Sequence, residues 1–193
     1  MNIFATNPSP YKCALYLDDK RVVKMCLETT QILCTVINRL VGNGEQVTVC
    51  KSTHEGHPCV QWALKSYANY QWLDKHLYYL LEEYKNRYKR EHLYHNEHTL
   101  IKSVFNVKQL YVDYYDSEFN VLQSTPFVNC AANSDLGISF KHVSDVHLAY
   151  NMYIQERWKT DKLVPRWYGW TYPKLNKDYS SVFQLIEEDY GNE

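Results

Sequence analysis

The stretch 18-DDKRVVKMCLETTQ-31 sets Lys20, Lys24, Glu28 and Gln31 at successive spacings of four, four and three residues. On a helix turning about 100° per residue these four positions fall within an arc of roughly 80°. Val22, Val23, Cys26, Ile32, Leu33, Val36, Ile37 and Leu40 supply apolar faces beside that stripe. The pattern predicts one long helix from about Leu17 to Leu40, ended by 42-GNG-44, where glycine accepts the left-handed backbone that closes helices. Lys24 followed by Glu28 is also an ordinary i, i+4 pair of the kind many solvated helix faces carry. A catalytic meaning for the stripe therefore needs support from elsewhere in the chain.

Working outward, residues 1–15 are an irregular lead-in, because Asn7-Pro8-Ser9-Pro10 opposes an early helix. Residues 45–53 alternate weakly and, with no partner strand in view, are expected to be an extended loop. Pro58 suits the first position of a second helix running over 58–88. On it Trp62, Ser66, Asn69, Leu73, Leu77, Leu80 and Tyr84 share a face. Ser66 and Asn69 interrupt that apolar face, either to bond a neighbouring helix or to line a pocket floored by Trp62 and Tyr70. A third helix is expected over about 97–111, a long loop with short helical turns over 113–141, and a last helix over 143–158 with Val146, Tyr150, Tyr153 and Trp158 inward. The segment 165-PRWYGWTYPKL-175 is aromatic and non-periodic. No internal repeat or low-complexity tract is present, so the expected architecture is all-α, a single helical domain over 1–193.

Composition bounds the function. A chain of 193 residues can bury a substantial core, and its formal net charge of −1 provides no global basic field. Any contact with nucleic acid must then come from a local cluster of Lys and Arg. Eighteen Tyr and five Trp supply faces suited equally to helix packing and to stacking on bases. The six scattered cysteines, with no secretory signal in view, are expected to be reduced thiols in a cytoplasmic setting. No apolar run approaches the ~18–20 residues a bilayer span needs, so no membrane partner is expected.

Several chemistries can be weighed on residue types alone. The segment 50-CKSTHEGHPC-59 brings Cys50, His54, His57 and Cys59 within ten residues, but the spacing matches no standard zinc module, and no metal or other cofactor is expected. His54 and His57 precede a helix start, where free N–H groups favour a phosphate or a substrate oxygen. No context singles out a Cys–His nucleophile, and no glycine-rich phosphate loop exists to support nucleoside triphosphate hydrolysis. Glu28 is the better candidate, as a general acid or base. Lys20 and Lys24 beside it could meet a phosphodiester, or one of them could act as an amine nucleophile.

These features resemble the phage pyrimidine-dimer DNA glycosylases, the small all-helical endonuclease V family of DNA repair. Asp19-Lys20-Arg21 followed by Glu28 is similar to that family's acidic-basic run and catalytic glutamate. Pro165-Arg166-Trp167-Tyr168 with Trp170 and Tyr172 resembles its C-terminal aromatic segment, and 56-GHPCVQWALKSYANYQWL-73 its middle helix. The resemblance implies an enzyme that kinks duplex DNA, flips a pyrimidine nucleotide, and uses Glu28 at the glycosidic carbon or sugar, with Trp167, Tyr168 and Trp170 stacking on bases. The chain departs from the family in three ways. It starts Met1-Asn2 where the family exposes the amine of an N-terminal threonine, it runs about five residues longer ahead of the helix, and it carries Leu27 and Gln31 where the family has phosphate-gripping arginines. Contact with DNA, the expected partner, then falls to Lys20, Arg21, Lys24, Arg87, Lys89, Arg90, Arg157 and Lys159, with Gln31, His54, His57, Ser66 and Asn69 as further expected substrate- or DNA-binding residues.

A second resemblance is to phage enzymes that join amino acids or amines to pyrophosphorylated 5-hydroxymethyluracil in DNA. There the Lys20/Lys24 stripe with His54 and His57 would suit the pyrophosphate leaving group, and Glu28 would deprotonate the incoming amine. Outside enzymes, the alternative is a helical binding module that docks a partner through its aromatic tail.

Overall fold

The computed structural model describes residues 1–42, 44–117, 121–168 and 178–190. Among these the helices are α1 (Pro10–Tyr16), α2 (Asp19–Val41), α3 (Pro58–Lys65), α4 (Tyr67–Tyr88), α5 (His95–Val104), α6 (Val107–Tyr115), α7 (Val146–Thr160) and α8 (Val182–Tyr190). The strands β1 (Ala132–Asn133) and β2 (Ile138–Ser139) form one small antiparallel ribbon, with Ala132 opposite Ser139 and Asn133 opposite Ile138. The described residues are thus all-α apart from that ribbon. None of the described helices is long and apolar enough to cross a membrane.

The long helix sits where the stripe predicts it. Gly42 ends it in the left-handed region at φ 88°, its N–H donating to the Asn38 carbonyl. Val22, Met25, Cys26, Ile32, Leu33, Val36 and Ile37 are fully buried, and α2 packs against α4, α3 and α6. On α4, Leu73, Leu77 and Leu80 are likewise sealed, each contributing about 1.5–3 kcal/mol of burial. Residues 45–53 are an extended loop as expected, pinned by Asn38. Its Oδ1 accepts from the N–H groups of Val47 and Thr48, and its Nδ2 donates to the Cys50 carbonyl.

Four expectations need correction. Residues 10–16, expected to belong to an irregular lead-in, form α1, because Pro10 fits the first turn of a helix and Ser9 caps it by accepting from the Lys12 N–H. The helix predicted over 58–88 is two helices, because Ser66 is extended at φ −154° and caps α4 by accepting from the Asn69 N–H. Asn69 Nδ2 in turn donates to the Trp62 carbonyl at 2.7 Å and to Thr125 Oγ1, while its Oδ1 accepts from the Thr125 N–H. Ser66 and Asn69 are therefore sealed junction residues. The helix predicted over 97–111 also breaks, at Phe105 and Asn106, where Asn106 caps α6 through the Gln109 N–H. The segment predicted as loop over 113–141 contains the end of α6 and the ribbon, whose turn closes at Gly137 with φ 66°.

His76, on α4, is fully buried. It shares a hydrogen bond with the Pro10 carbonyl at 3.1 Å, stacks on Trp72, and its Nε2 has no partner. Burial pulls its pKa down to about 4 from 6.5. The unfolded chain therefore binds a proton that the folded chain refuses between those values, and stability is lost as pH falls through that window. Between pH 7 and pH 5, denaturant unfolding should show a loss of about 1–2 kcal/mol attributable to this group. A His76→Gln variant should lose correspondingly less over the same interval.

Candidate functional site

The first residues of the chain build one wall of the site. Asn2 Oδ1 accepts from the N–H groups of Ile3 and Phe4, and Asn2 Nδ2 donates to the Cys130 carbonyl. Phe4 takes φ 41°, unusual for a side chain of this size, and its ring stacks on Tyr153 of α7 at 6.0 Å. Ile3 and Ala5 are fully buried, so this lead-in is a fixed strap threaded through the core. It ends against Glu28. Glu28 Oε2 accepts from the Asn2 N–H at 3.0 Å and lies 3.9 Å from the Met1 ammonium, while Oε1 lies 3.0 Å from Lys24 Nζ.

Glu28, 9% exposed, opens onto a cavity of about 440 Å³, a size typical of ligand sites. The cavity is lined by the basic side chains of Lys20, Arg21, Lys24, Lys141 and Arg157, and Glu28 is its single carboxylate among the described residues. Asn133 and Ser134, at the ribbon turn, and the rings of Phe4 and Tyr153 complete the parts that could meet a planar polar ligand. A hollow of about 520 Å³ is lined by Arg39 and Lys51 together with Glu45 and Glu55, so it lacks the excess of basic side chains found around Glu28.

The stripe on α2 divides. Lys24 stays with Glu28, but Lys20 reaches away to Asp161 Oδ1 at 3.2 Å. Both lysines remain about two-thirds exposed, so their pairs contribute little to stability. Arg21 lines the cavity yet is committed to buried carboxylates, Asp18 at 2.7 Å and Asp161 at 2.9 Å. Gln31 is half-buried and outside the cavity lining, as is the exposed His54, which holds φ 50° in the turn before α3. His57 does line the cavity. Its Nδ1 accepts from the Cys59 N–H at 3.2 Å, and burial, followed by the nearby ammonium, lowers its pKa, so it meets a ligand as a neutral ring.

Of the cations expected to hold DNA, Arg157 lines the cavity and donates to the Tyr153 hydroxyl, whereas Lys159 is exposed beside Glu156 and outside it. Arg87 is a correction. Its side chain, 1% exposed, donates to the Leu15 and Leu17 carbonyls, to Asp19 and to Glu83, and lies 4.6 Å over the Tyr168 ring. Trp167 is another correction. It is 1% exposed, packs edge-on against Trp158 and donates its indole N–H to the Tyr16 carbonyl, so its face is used by the core and not by a base. Tyr168 is held under Arg87, and its N–H donates to Asp19. Trp170 lies outside the described residues.

Sequence inspection missed Asn2, Phe4, Cys130, Asn133, Ser134, Lys141 and Tyr153 as lining residues. None carries a local motif, and most come from segments that read as lead-in or loop. Cys130 is the most distinctive of them. Its Sγ lies 3.7 Å from Cys59 Sγ, and the hydrogen bond from Cys59 pulls its pKa down to about 7.

An all-helical chain with a glutamate held between an amine and a lysine, at the mouth of a basic hollow, has the makings of an enzyme acting on a negatively charged polymer. The family comparison agrees: residues 1–99 match the pyrimidine dimer DNA glycosylase family, and the chain belongs to it. No curated protein and no solved structure gives a significant match.

Proposed function

We propose that the protein is a glycosylase-type DNA base-processing enzyme that draws a pyrimidine nucleotide out of the duplex into the Glu28 cavity. The observation that carries this is the position of Glu28: nearly buried, hydrogen-bonded to the Asn2 N–H, paired with Lys24, and facing a hollow lined with basic side chains. Extruding a base costs a few kcal/mol, which stacking against Phe4 and Tyr153 could offset in place of the inaccessible Trp167. The exposed Lys20 and Lys24 suit the phosphates beside the flipped nucleotide.

As a carboxylate, Glu28 can stabilise the positive charge that develops on the sugar as the bond between C1′ and the base breaks. It can also accept the proton released when a nucleophile adds to C1′, while the base departs with the bonding electrons and takes up a proton. Water as nucleophile makes a simple glycosylase. An amine as nucleophile, from Met1 or Lys24 beside Glu28, makes a Schiff base that permits strand cleavage.

The density of basic groups at the cavity supports a second reading, the transfer of an amine to a pyrophosphorylated 5-hydroxymethyluracil. With Arg21 held by Asp18 and Asp161, the lysines and Arg157 that line the cavity would suit a pyrophosphate leaving group.

Incubation with ultraviolet-irradiated duplex followed by alkali tests the first reading, strand breaks at pyrimidine dimers being the expected result. Nucleoside mass spectrometry of phage DNA carrying the activated base tests the second, through the mass of an added amine. A helical binding module would form neither product and would bind DNA with little salt dependence. For DNA affinity, Lys20→Ala and Lys24→Ala are each expected to weaken binding about equally across sequences and to reduce the slope of log affinity against log salt by about one.

A further inference from the structure

We infer that His57, Cys59 and Cys130 form a binding site for a thiophilic divalent cation, zinc above all, in the wall of the Glu28 cavity. Their ligand atoms all lie within 4.8 Å of one another. The two sulfurs are 3.7 Å apart. Tetrahedral zinc with bonds of about 2.3 Å places two thiolate sulfurs about 3.8 Å apart, whereas a disulfide needs about 2.05 Å. The two thiols, which share a hydrogen bond in the absence of an ion, already stand at the separation that the edge of a metal tetrahedron requires.

The backbone holds these ligands in place. Cys59 stands in the first turn of α3, behind Pro58 and the His57 cap. The Cys130 N–H donates to the Tyr150 hydroxyl, which itself donates to the Val128 carbonyl, and the Cys130 carbonyl accepts from Asn2. On binding, the two thiols give up their protons and the thiolates neutralise the dication, so the ion adds no net charge to a hollow already lined by five basic side chains. Metal binding has one structural consequence. The imidazole lone pair is engaged by the Cys59 N–H at 3.2 Å, so a cation takes either that lone pair or, after tautomer exchange, the one on Nε2, and ends the cap bond in both cases.

Three protein ligands leave a fourth coordination position, and two of the three, His57 and Cys130, line the same cavity as Glu28. The site stands whatever role Glu28 plays, because it rests on a different set of atoms.

The test begins with the whole protein purified under reducing conditions without chelators, which is expected to contain about one zinc per chain. After zinc removal, titration with Co²⁺ should produce an intense near-ultraviolet thiolate-to-cobalt band. That band should be lost in Cys59→Ser and Cys130→Ser, weakened in His57→Ala and unchanged in Cys50→Ser, and chelation should lower the Tm of the wild type. Absence of the cobalt band in reduced, folded wild type overturns the assignment, and needs no variant to fold. Persistence of the band in Cys130→Ser also overturns it, as does a native disulfide between Cys59 and Cys130.

Discussion

Glu28→Gln is expected to slow base release from ultraviolet-irradiated DNA by about 10²–10⁴-fold, the range over which a positioned acid or base contributes. The substitution keeps the volume and one carbonyl oxygen, which can still accept from the Asn2 N–H. It removes the charge opposite Lys24 and the capacity to take a proton. Lys24 is largely exposed, so losing the pair should change stability by no more than about 1 kcal/mol. The chemical step should therefore fall while circular dichroism, Tm and DNA affinity stay close to wild type. A single-turnover assay on a duplex with one thymine dimer separates these effects. Activity within a few-fold of wild type in a folded Glu28→Gln protein would remove Glu28 from the chemistry.

The second large effect concerns Arg87. The sequence offered it as a phosphate contact, but its guanidinium ties the start of α2 and the end of α1 to α4. It donates to two carbonyls at the end of α1, where helix carbonyls lack partners, and to the buried carboxylate of Glu83. Arg87→Met keeps the apolar stem yet strands Glu83, whose side chain is 7% exposed. Leaving one member of a buried pair costs about 3–5 kcal/mol. For a domain of this size that corresponds to a Tm lower by roughly 6–20 °C. Arg90→Met, at an exposed position just beyond the helix, should stay within about 0.5 kcal/mol of wild type. Thermal melts of the two variants decide the matter, and a wild-type Tm for Arg87→Met would contradict a structural role for the guanidinium.

The long helix and its closure at Gly42 were legible because periodicity and a left-handed glycine are local signals. So was the meeting of Lys24 with Glu28, which needs only one turn of helix. What the sequence hid was set by distant partners. Ser66 and Asn69 fit a helical stripe, yet Asn69 bonds Thr125, 56 residues on, and the junction breaks the helix. Trp167 carried the signature of a stacking residue, but composition cannot distinguish a base from Trp158 as the ring it packs against. The prolines near the start misled as well, because Pro10 opens α1 instead of barring a helix there. They gave no sign that Asn2 would reach across 26 residues to Glu28. Cys59 and Cys130 are separated by 71 residues, so a search for metal ligands within one short segment could bring His57 together with Cys59 but not with Cys130.

The most direct test of where the chemistry happens is photo-crosslinking of the folded Glu28→Gln protein to a duplex with one photoactivatable thymine analogue at the target position, mapped by peptide mass spectrometry. Attachment is expected on the cavity wall, at Met1, Asn2, Lys24, Ser134 or Lys141. Crosslinks confined to remote surface such as Leu93 and Leu100, with the cavity peptides unmodified, would contradict entry of the nucleotide beside Glu28.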